Sequence, residues 1–288
     1  MNVDVDRRRF LAFLGAAVAA AMTACRGDVL PGEAAASTRV RAAPGRAHAD
    51  PVVADAPPVP AVSVVGAGSG PSRRGAIAPP VPGRPVVVQE GPRGTRLVAL
   101  TIDDGTSAEC VDRYVAFAQR SGIPITFSPN GINPGWDMVA GRLQPLVGTG
   151  QVQIVNHTWS HPDLVRAGDA RIRDEIERNE EWIEKTFGVT ARPWFRPPYG
   201  FHSRRTDELA AELGYTRIVL WNGSFGDSEL LRPDEVMALA DRYMQPGTIM
   251  LGHANYLTIT ELFDQVQLLM LQRGLRPVTL DEMFAVPV

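Results

Sequence analysis

Lysine and cysteine are the residues that this chain of 288 amino acids contains least. Its two cysteines, Cys25 and Cys110, are far apart, and Cys25 follows an apolar N-terminal segment. No internal disulfide framework is expected, so a hydrophobic core or a metal must stabilise the fold. Lys185 is the only lysine, and the formal net charge of −3 argues against a nucleic-acid partner. The sequence also has no glycine-rich phosphate-binding loop and no repeat of about 20–50 residues. These absences disfavour a P-loop nucleotide-binding protein and a solenoid repeat protein.

Residues 1–24 have the pattern of an export signal: a charged start, an apolar stretch and small residues before Cys25. Arg7 and Arg8, followed by "RFL", resemble a twin-arginine signal. The apolar stretch is too short to span a bilayer comfortably. "MTAC" resembles a bacterial lipoprotein processing site, which predicts lipidation of Cys25; cleavage by an ordinary signal peptidase is the alternative. We expect an exported cell-envelope protein, anchored by lipid to the outer face of the cytoplasmic membrane.

Residues 25–95 are predicted to be a disordered linker. From residue 31 onward this stretch has no leucine, methionine or aromatic residue and contains half of the 24 prolines. Such a segment cannot bury enough apolar surface to offset its ordering entropy. The linker would hold the following domain away from the membrane. Only "RPVVVQEG", near its end, is consistent with a short strand.

Residues 96–288 are predicted to form a single catalytic domain, and we expect a monomer. Strand-like runs such as "RLVALTI" (96–102) and "TIMLGH" (248–253) alternate with helical patterns such as "AECVDRYVAFAQRSG" (108–122). The longest helix is predicted over 169–188 and ends at a glycine. Alternation of this kind predicts an α/β fold, a distorted (β/α) barrel of about seven parallel strands.

Polar residues stand where several predicted strands end, in "TIDDG", "VNHTWSH", "FRPPYG", "VLWNGSFGD" and "MLGH". In barrels these ends converge at the catalytic face. Two of the five histidines, His157 and His161, are four residues apart. With Asp104 they form a two-histidine, one-carboxylate set that suits Zn²⁺ with a position open for water. Two incidental histidines in a solvated loop are the alternative.

The "DDG" sequence holds two adjacent carboxylates, Asp103 and Asp104. Neighbouring strand residues point to opposite faces, but a chain that turns at Gly105 could direct both inward. A simple Asp-Gly turn is the alternative. After an apolar strand, and with the two histidines downstream, we expect one carboxylate to bind the metal and the other to act as a base.

These motifs, in this order, resemble the polysaccharide deacetylase family, carbohydrate esterases that remove N- or O-acetyl groups from sugars. The resemblance covers the chain from about Leu97 to His253. It rests on "TIDDG", "IPITFSPNG", "NHTWSHPDL", "RPPYG" and "LGH". It implies an acetylated polysaccharide as substrate and a divalent metal, with Zn²⁺ expected, as cofactor.

The resemblance also assigns roles to single residues. Asp103 matches the catalytic base, and Asp104, His157 and His161 match the metal ligands. The remaining matches are Arg196 as the partner of the base, Tyr199 as a backbone oxyanion donor, Trp221 on the substrate side, His253 as the general acid, and Asp227 as the carboxylate that orients the acid. Taken one at a time, Arg196 also fits a surface arginine, and His253 and Trp221 fit ordinary core residues.

Three positions depart from the family's pattern. Ile102 stands where phenylalanine is usual, a core change of little consequence. Thr106 replaces a frequent proline, and Ser228 replaces a frequent tryptophan, which affects the substrate groove and leaves the catalytic set intact. His202 matches no motif and is predicted to lie at the groove rim or the surface. We therefore expect hydrolysis of acetyl groups on an amino-sugar polysaccharide of the envelope, such as peptidoglycan. An O-acetyl sugar esterase and a catalytically weak glycan-binding module are the alternatives.

Overall fold

The computed structural model describes residues 82–285. The predicted export signal, Cys25, His48 and the linker as far as residue 81 lie outside the described residues. Between residues 82 and 285, no helix is both long and apolar enough to cross a bilayer.

Strands and helices alternate along the described chain, and every strand pairing is parallel. The strands are β1 (Val86–Val88), β2 (Leu97–Asp104), β3 (Ile125–Pro129), β4 (Val152–Ile154), β5 (Trp194–Phe195), β6 (Arg217–Val219), β7 (Gly223–Ser224), β8 (Thr248–His253) and β9 (Arg276–Val278). The helices are α1 (Ala108–Ser121), α2 (Gly135–Gly148), α3 (Asp169–Phe187), α4 (Arg204–Glu212), α5 (Pro233–Tyr243), α6 (Phe263–Gln272) and α7 (Leu280–Ala285). Two 3₁₀ turns, Pro198–Gly200 and Leu257–Glu261, complete the list.

The strands form two sheets that continue into one another. One sheet has the order β4-β3-β2-β8-β7 with β9 also on β2, and the other has the order β1-β6-β5. A parallel bridge between Asn156 and Phe195 joins the end of β4 to β5. The run of chain from β6 to β7 leads from the second sheet back to the first, although no strand pairing joins β6 to β7 in the described part of the chain. Parallel strands that alternate with helices agree with the distorted (β/α) barrel that the sequence predicted, and the pairing of the described strands leaves this barrel open between β6 and β7.

Strand β2 lies at the centre of the core, because all eight of its residues are buried. Helix α3 packs Ile172, Ile176 and Ile183 inward, and their spacing is that of one face of an amphipathic helix. Its C-cap, Gly188, has φ +73°, a left-handed conformation that glycine adopts without strain. Because the strands are parallel, their C-terminal ends, where the polar residues stand, lie at the same edge of the sheet.

One short strand agrees with the sequence interpretation and two features differ from it. Val86–Val88, in the segment "RPVVVQEG" that was consistent with a short strand, form β1 and pair with β6. Helix α2 was not anticipated. Strand β9 ends at Val278, and the chain continues into α7, a helix that was not anticipated either.

Candidate active site

The ends of β2 and β8 bring the first polar residues together. These strands pair in parallel, and Asp103 lies opposite His253 in the register. The pairing continues beyond the strands, since the Ala254 N–H donates to the Asp103 carbonyl at 3.0 Å. Carboxylate and histidine are therefore held at the same level of the sheet by backbone hydrogen bonds.

Asp103 is buried and paired with an arginine. Arg196, with no exposed surface, donates to Asp103 Oδ1 at 2.8 Å and to the Thr101 hydroxyl at 2.9 Å. The other carboxylate oxygen, Oδ2, lies 3.7 Å from His157 Nε2. A charge-assisted hydrogen bond of this kind fixes one oxygen and leaves Oδ2 near His157 Nε2.

Asp104 has a different environment, because its Oδ1 atom is buried without a hydrogen-bond partner among the described residues. This oxygen lies 3.4 Å from His157 Nε2 and 3.4 Å from His161 Nε2. One potential ligand atom from each of these three residues lies within 4.8 Å of the others. A buried carboxylate oxygen without a partner is costly, and a divalent cation between the three residues would satisfy it. The donor set therefore fits a metal.

The tautomer of His157 also suits metal binding. Its Nδ1 lies 2.7 Å from the Arg196 carbonyl oxygen, which can only accept a hydrogen bond. The Nδ1–H group therefore donates there, and the Nε2 lone pair points to the site. Burial and the neighbouring His157 lower the pKa of His161 to about 4, so this ring is neutral near pH 7. Burial alone would raise the pKa of Asp104, but the surrounding histidines hold it well below its ordinary value.

Both adjacent aspartates reach the site because the chain turns at Asp104, which has φ +67°. Its carbonyl oxygen accepts hydrogen bonds from Trp136 Nε1 at 2.8 Å, from Asn133 Nδ2 at 3.1 Å and from the Asn130 N–H at 3.3 Å. At Gly105, a Cβ atom would lie 2.1 Å from Trp136 Nε1. Tertiary contacts therefore hold Asp104 in the left-handed backbone conformation, which is unusual for a residue other than glycine and is found often at functional sites.

The loop that carries both histidines, residues 156–161, which we call the histidine loop, is held by hydrogen bonds to buried polar residues of α3. Glu175 accepts from the Ser160 N–H at 2.7 Å and from the Ser160 hydroxyl at 2.6 Å. Asn179 donates to Asn156 at 3.1 Å, and Asn156 accepts from the Thr158 N–H at 2.9 Å. The sequence analysis did not identify these residues. A usable signal was present, because Glu175 and Asn179 are four residues apart and follow the buried Ile172 and Ile176 by three residues each.

His253, opposite Asp103 in the strand register, forms a second charged pair with Asp227. His253 Nδ1 is 3.0 Å from Asp227 Oδ1, and the His253 N–H donates to Asp227 Oδ2 at 3.1 Å. Asp227 is almost fully buried. Burial alone would lower the pKa of His253, but the hydrogen bond and negative charge of Asp227 raise it above 6.5. The pair therefore favours an imidazolium at this position.

Tyr199 and Trp221 border the same site. Tyr199 has φ +59° within the 3₁₀ turn, and its ring centroid is 4.4 Å from that of His161. Trp221 lies against this turn, since a Cβ atom on Gly200 would be 2.8 Å from the indole. The guanidinium carbon of Arg196 is 5.9 Å from the centroid of the Trp221 ring. The tyrosine side chain is exposed.

The structure thus brings together nine predicted site residues. They are Asp103, Asp104, His157, His161, Arg196, Tyr199, Trp221, Asp227 and His253. Their assigned roles stay predictions. Ser228 and Thr106 are exposed. The Nδ1 atom of His202 is within hydrogen-bond distance, 2.8 Å, of Oδ2 of Asp207 on α4.

Comparison with known proteins identifies the family. The profile of the polysaccharide deacetylase family matches residues 90–218. The solved structure of a deacetylase called T48, determined with substrate, superposes with a TM-score of 0.59 at 30% identity. That alignment covers 66% of this chain and 92% of the T48 chain. The chain belongs to the polysaccharide deacetylase family.

Other relatives show the range of this family. A peptidoglycan-N-acetylglucosamine deacetylase of Bacillus cereus is 27% identical over 198 residues, which are 67% of this chain and 70% of the relative. A carbohydrate esterase family 4 pseudoenzyme from Bacillus anthracis has the same fold, with a TM-score of 0.61, 22% identity and 69% coverage of each chain. Because the family includes a pseudoenzyme, family membership and fold do not by themselves establish catalytic activity. The activity of this chain is therefore argued from its site residues.

Proposed function

We propose that this protein is a metal-dependent hydrolase that removes acetyl groups from N-acetylated amino-sugar polysaccharide of the cell envelope, such as peptidoglycan. One observation carries the proposal. The ligand set Asp104, His157 and His161 is accompanied at the same strand ends by two preformed pairs, a carboxylate held by Arg196 and a histidine held by Asp227. Amide hydrolysis requires a base and an acid of this kind, because an amine leaves poorly unless it is protonated.

A divalent metal, which we expect to be Zn²⁺, would be held by Asp104, His157 and His161. When bound, it would supply Lewis-acid chemistry, polarising the acetyl carbonyl and acidifying a water molecule. The unpartnered Oδ1 of Asp104 and the Nε2 atoms directed at it support this assignment.

Asp103 would act as the general base. Arg196 occupies its Oδ1, so Oδ2 is the atom that would take a proton from the attacking water. Arg196 is itself fixed by Thr101 and by the Leu220 carbonyl oxygen at 3.4 Å. The base is therefore held in position before substrate binds.

His253 would act as the general acid. Asp227 raises its pKa, so a larger share of the rings carries a proton near neutral pH. That proton would pass to the leaving amine nitrogen, and acetate would be released with a free amino sugar. The Tyr199 backbone N–H, in the turn beside His161, would donate to the oxyanion that forms on the acetyl oxygen.

The envelope substrate rests on two supports. The Bacillus cereus relative is named for peptidoglycan N-acetylglucosamine. Residues 1–24 and 25–95 have the pattern of an export signal and an extended linker, which would carry the domain out to wall polymers as a monomer anchored through Cys25. The lipid anchor and the export route belong to the same proposal.

The test uses the purified full-length chain. Metal content is measured by elemental analysis, and acetate release is measured on peptidoglycan, on N-acetylated chito-oligosaccharides and on an O-acetylated sugar. We expect about one divalent ion per chain and acetate from the N-acetylated substrates, with turnover lost on chelation and restored by Zn²⁺. Release from the O-acetylated sugar alone would identify an esterase, and metal binding without turnover would identify a glycan-binding module.

A further inference from the structure

Asn255 contacts the Asp104 carboxylate through the oxygen other than the one near the two histidines. Its Nδ2 atom lies 2.8 Å from Asp104 Oδ2. Its Oδ1 atom accepts from the Thr106 N–H at 3.1 Å and from the Thr106 hydroxyl at 2.8 Å. One amide thus connects the carboxylate at the end of β2 to a residue two positions later in the same chain.

The orientation of this amide follows from its partners. The Thr106 N–H can only donate, so the atom of Asn255 that faces it must be the carbonyl oxygen. The amino group then faces Asp104, whose ionised carboxylate can only accept. Turning the amide over would place two donors against each other at the Thr106 N–H and two acceptors against each other at Asp104. Thr106 therefore fixes which atom Asn255 presents.

The position of Asn255 does not depend on its own side chain. It follows His253 in the segment after β8, and backbone bonds join that segment to the chain after β2. The Ala254 N–H donates to the Asp103 carbonyl at 3.0 Å, and the Ser107 N–H donates to the Ala254 carbonyl at 3.2 Å. The amide is thus delivered to Asp104 by a rigid part of the sheet.

The two oxygens of Asp104 consequently differ. Oδ2 is taken by Asn255, whereas the buried Oδ1 has no partner in the described part of the chain and lies 3.4 Å from both histidine Nε2 atoms. With Oδ2 occupied, Asp104 offers one oxygen to a cation, in a fixed direction. Partners of this kind commonly determine ligand orientation and metal affinity.

We propose that Asn255, oriented by Thr106, is a positioning residue that holds Asp104 as a ligand through Oδ1 alone. This inference rests on the metal site of the proposed function. It adds a determinant of metal affinity outside the residues that the family motifs identified.

The experiment measures Zn²⁺ dissociation constants by competition with a chromogenic chelator, on the full-length wild type and on Asn255→Ala. We expect Asn255→Ala to bind Zn²⁺ about 10–100-fold more weakly, the usual effect of losing such a partner. In the Co²⁺-loaded protein, the visible absorption should weaken, because a released carboxylate can bind through both oxygens and raise the coordination number. Equal Zn²⁺ affinity in wild type and Asn255→Ala would overturn the inference.

Thr106 provides a second variant that does not threaten folding, since its side chain is exposed. Thr106→Val removes only the hydroxyl donor and should weaken Zn²⁺ binding less than Asn255→Ala, whereas Thr106→Ser should restore wild-type affinity. Equal affinities of Thr106→Val and Thr106→Ser would contradict the orienting role of the hydroxyl.

Asn222→Ala is the matched control, because Asn222 also bonds β8 through its side chain, accepting from the Ile249 N–H at 2.8 Å near the opposite end of the strand. Its Zn²⁺ affinity should equal that of wild type, and a loss as large as that of Asn255→Ala would assign the effect to strand stability. If the wild type itself binds no metal, the proposed function fails together with this inference. If the wild type binds metal and Asn255→Ala binds it equally well, only this inference fails.

Discussion

Asp103 and Asp104 are neighbours at the end of one strand, yet their surroundings differ in almost every respect. Asp103 continues the strand and has Arg196 on one oxygen, whereas Asp104 turns to φ +67° and directs an unpartnered oxygen at two histidine rings. No arginine of the described chain forms an ion pair with Asp104. Identical side chains thus acquire different chemistry from one backbone rotation and from the partners that each then meets.

The largest effect is expected from Asp104→Asn. A neutral amide is a poor ligand for a hard dication, so metal content and acetate release should be lost together. The His157→Ala/His161→Ala double variant should behave alike, with folding largely kept because the domain has its own hydrophobic core. Elemental analysis and acetate release on one preparation measure both quantities. Full metal occupancy in the double variant would remove the basis of the assignment.

Asp103→Asn tests the other half of the comparison. The metal should stay bound, because Asp103 is outside the predicted ligand set, while turnover should fall by about a hundredfold or more, as expected for a general base. Each aspartate variant is the control for the other, since both replace a carboxylate by an amide at adjacent positions. Loss of metal in Asp103→Asn, or turnover close to wild type, would mean that the two roles are assigned wrongly.

The sequence predicted the end of β2 well and the turn at Asp104 less well. An apolar run followed by "DDG" indicates a buried strand with carboxylates at its end, and that part depends on local pattern alone. The left-handed conformation of Asp104 depends on Trp136 and Asn133, which lie about thirty residues later and meet it only in the folded chain. Contacts of this kind cannot be obtained from the spacing of residues along a sequence.

Helix α2 was missed for a related reason. It begins at a glycine and contains Pro145, both of which disfavour a helix interior. Trp136, Val139 and Leu143 are nevertheless buried on one face, so packing outweighs weak propensity. Their spacing was a usable helical signal that the proline and glycine obscured. Export and lipidation concern residues outside the described range and stay predictions.

Asp227→Asn extends the comparison to the acid, with a smaller expected effect. The Asp227 carboxylate raises the pKa of His253, and activity that needs imidazolium declines as pH rises through that pKa. Without the negative charge the pKa falls, so the alkaline limb of the rate profile should move to lower pH. The profile of kcat/KM against pH measures this shift.

Asp207→Asn is a matched control for this change. Asp207 forms another histidine–aspartate pair, with His202, at the beginning of α4. Its removal should leave the alkaline limb unchanged, because His202 has no assigned role in catalysis. An alkaline limb that stays in place in Asp227→Asn, or one that moves equally in both variants, would contradict the assignment of His253 as the acid.

The smallest effect is expected from Ser160→Ala, which loosens the histidine loop without touching a ligand. The Ser160 hydroxyl donates to Glu175 at 2.6 Å, but the Ser160 N–H keeps its own bond to Glu175 at 2.7 Å, so the loop retains half of this support. Zn²⁺ affinity should therefore fall by less than the roughly 10–100-fold expected when a direct partner of a ligand is removed. Ser121→Ala, which deletes a hydroxyl bonded within α1 to the Phe117 carbonyl at 2.7 Å, is the control and should bind Zn²⁺ as wild type does. A loss of Zn²⁺ affinity in Ser160→Ala as large as in Asn255→Ala would show that α3 affects the metal site as strongly as the partners of Asp104 do. The contrast between the two aspartates would then be only one part of what positions the metal.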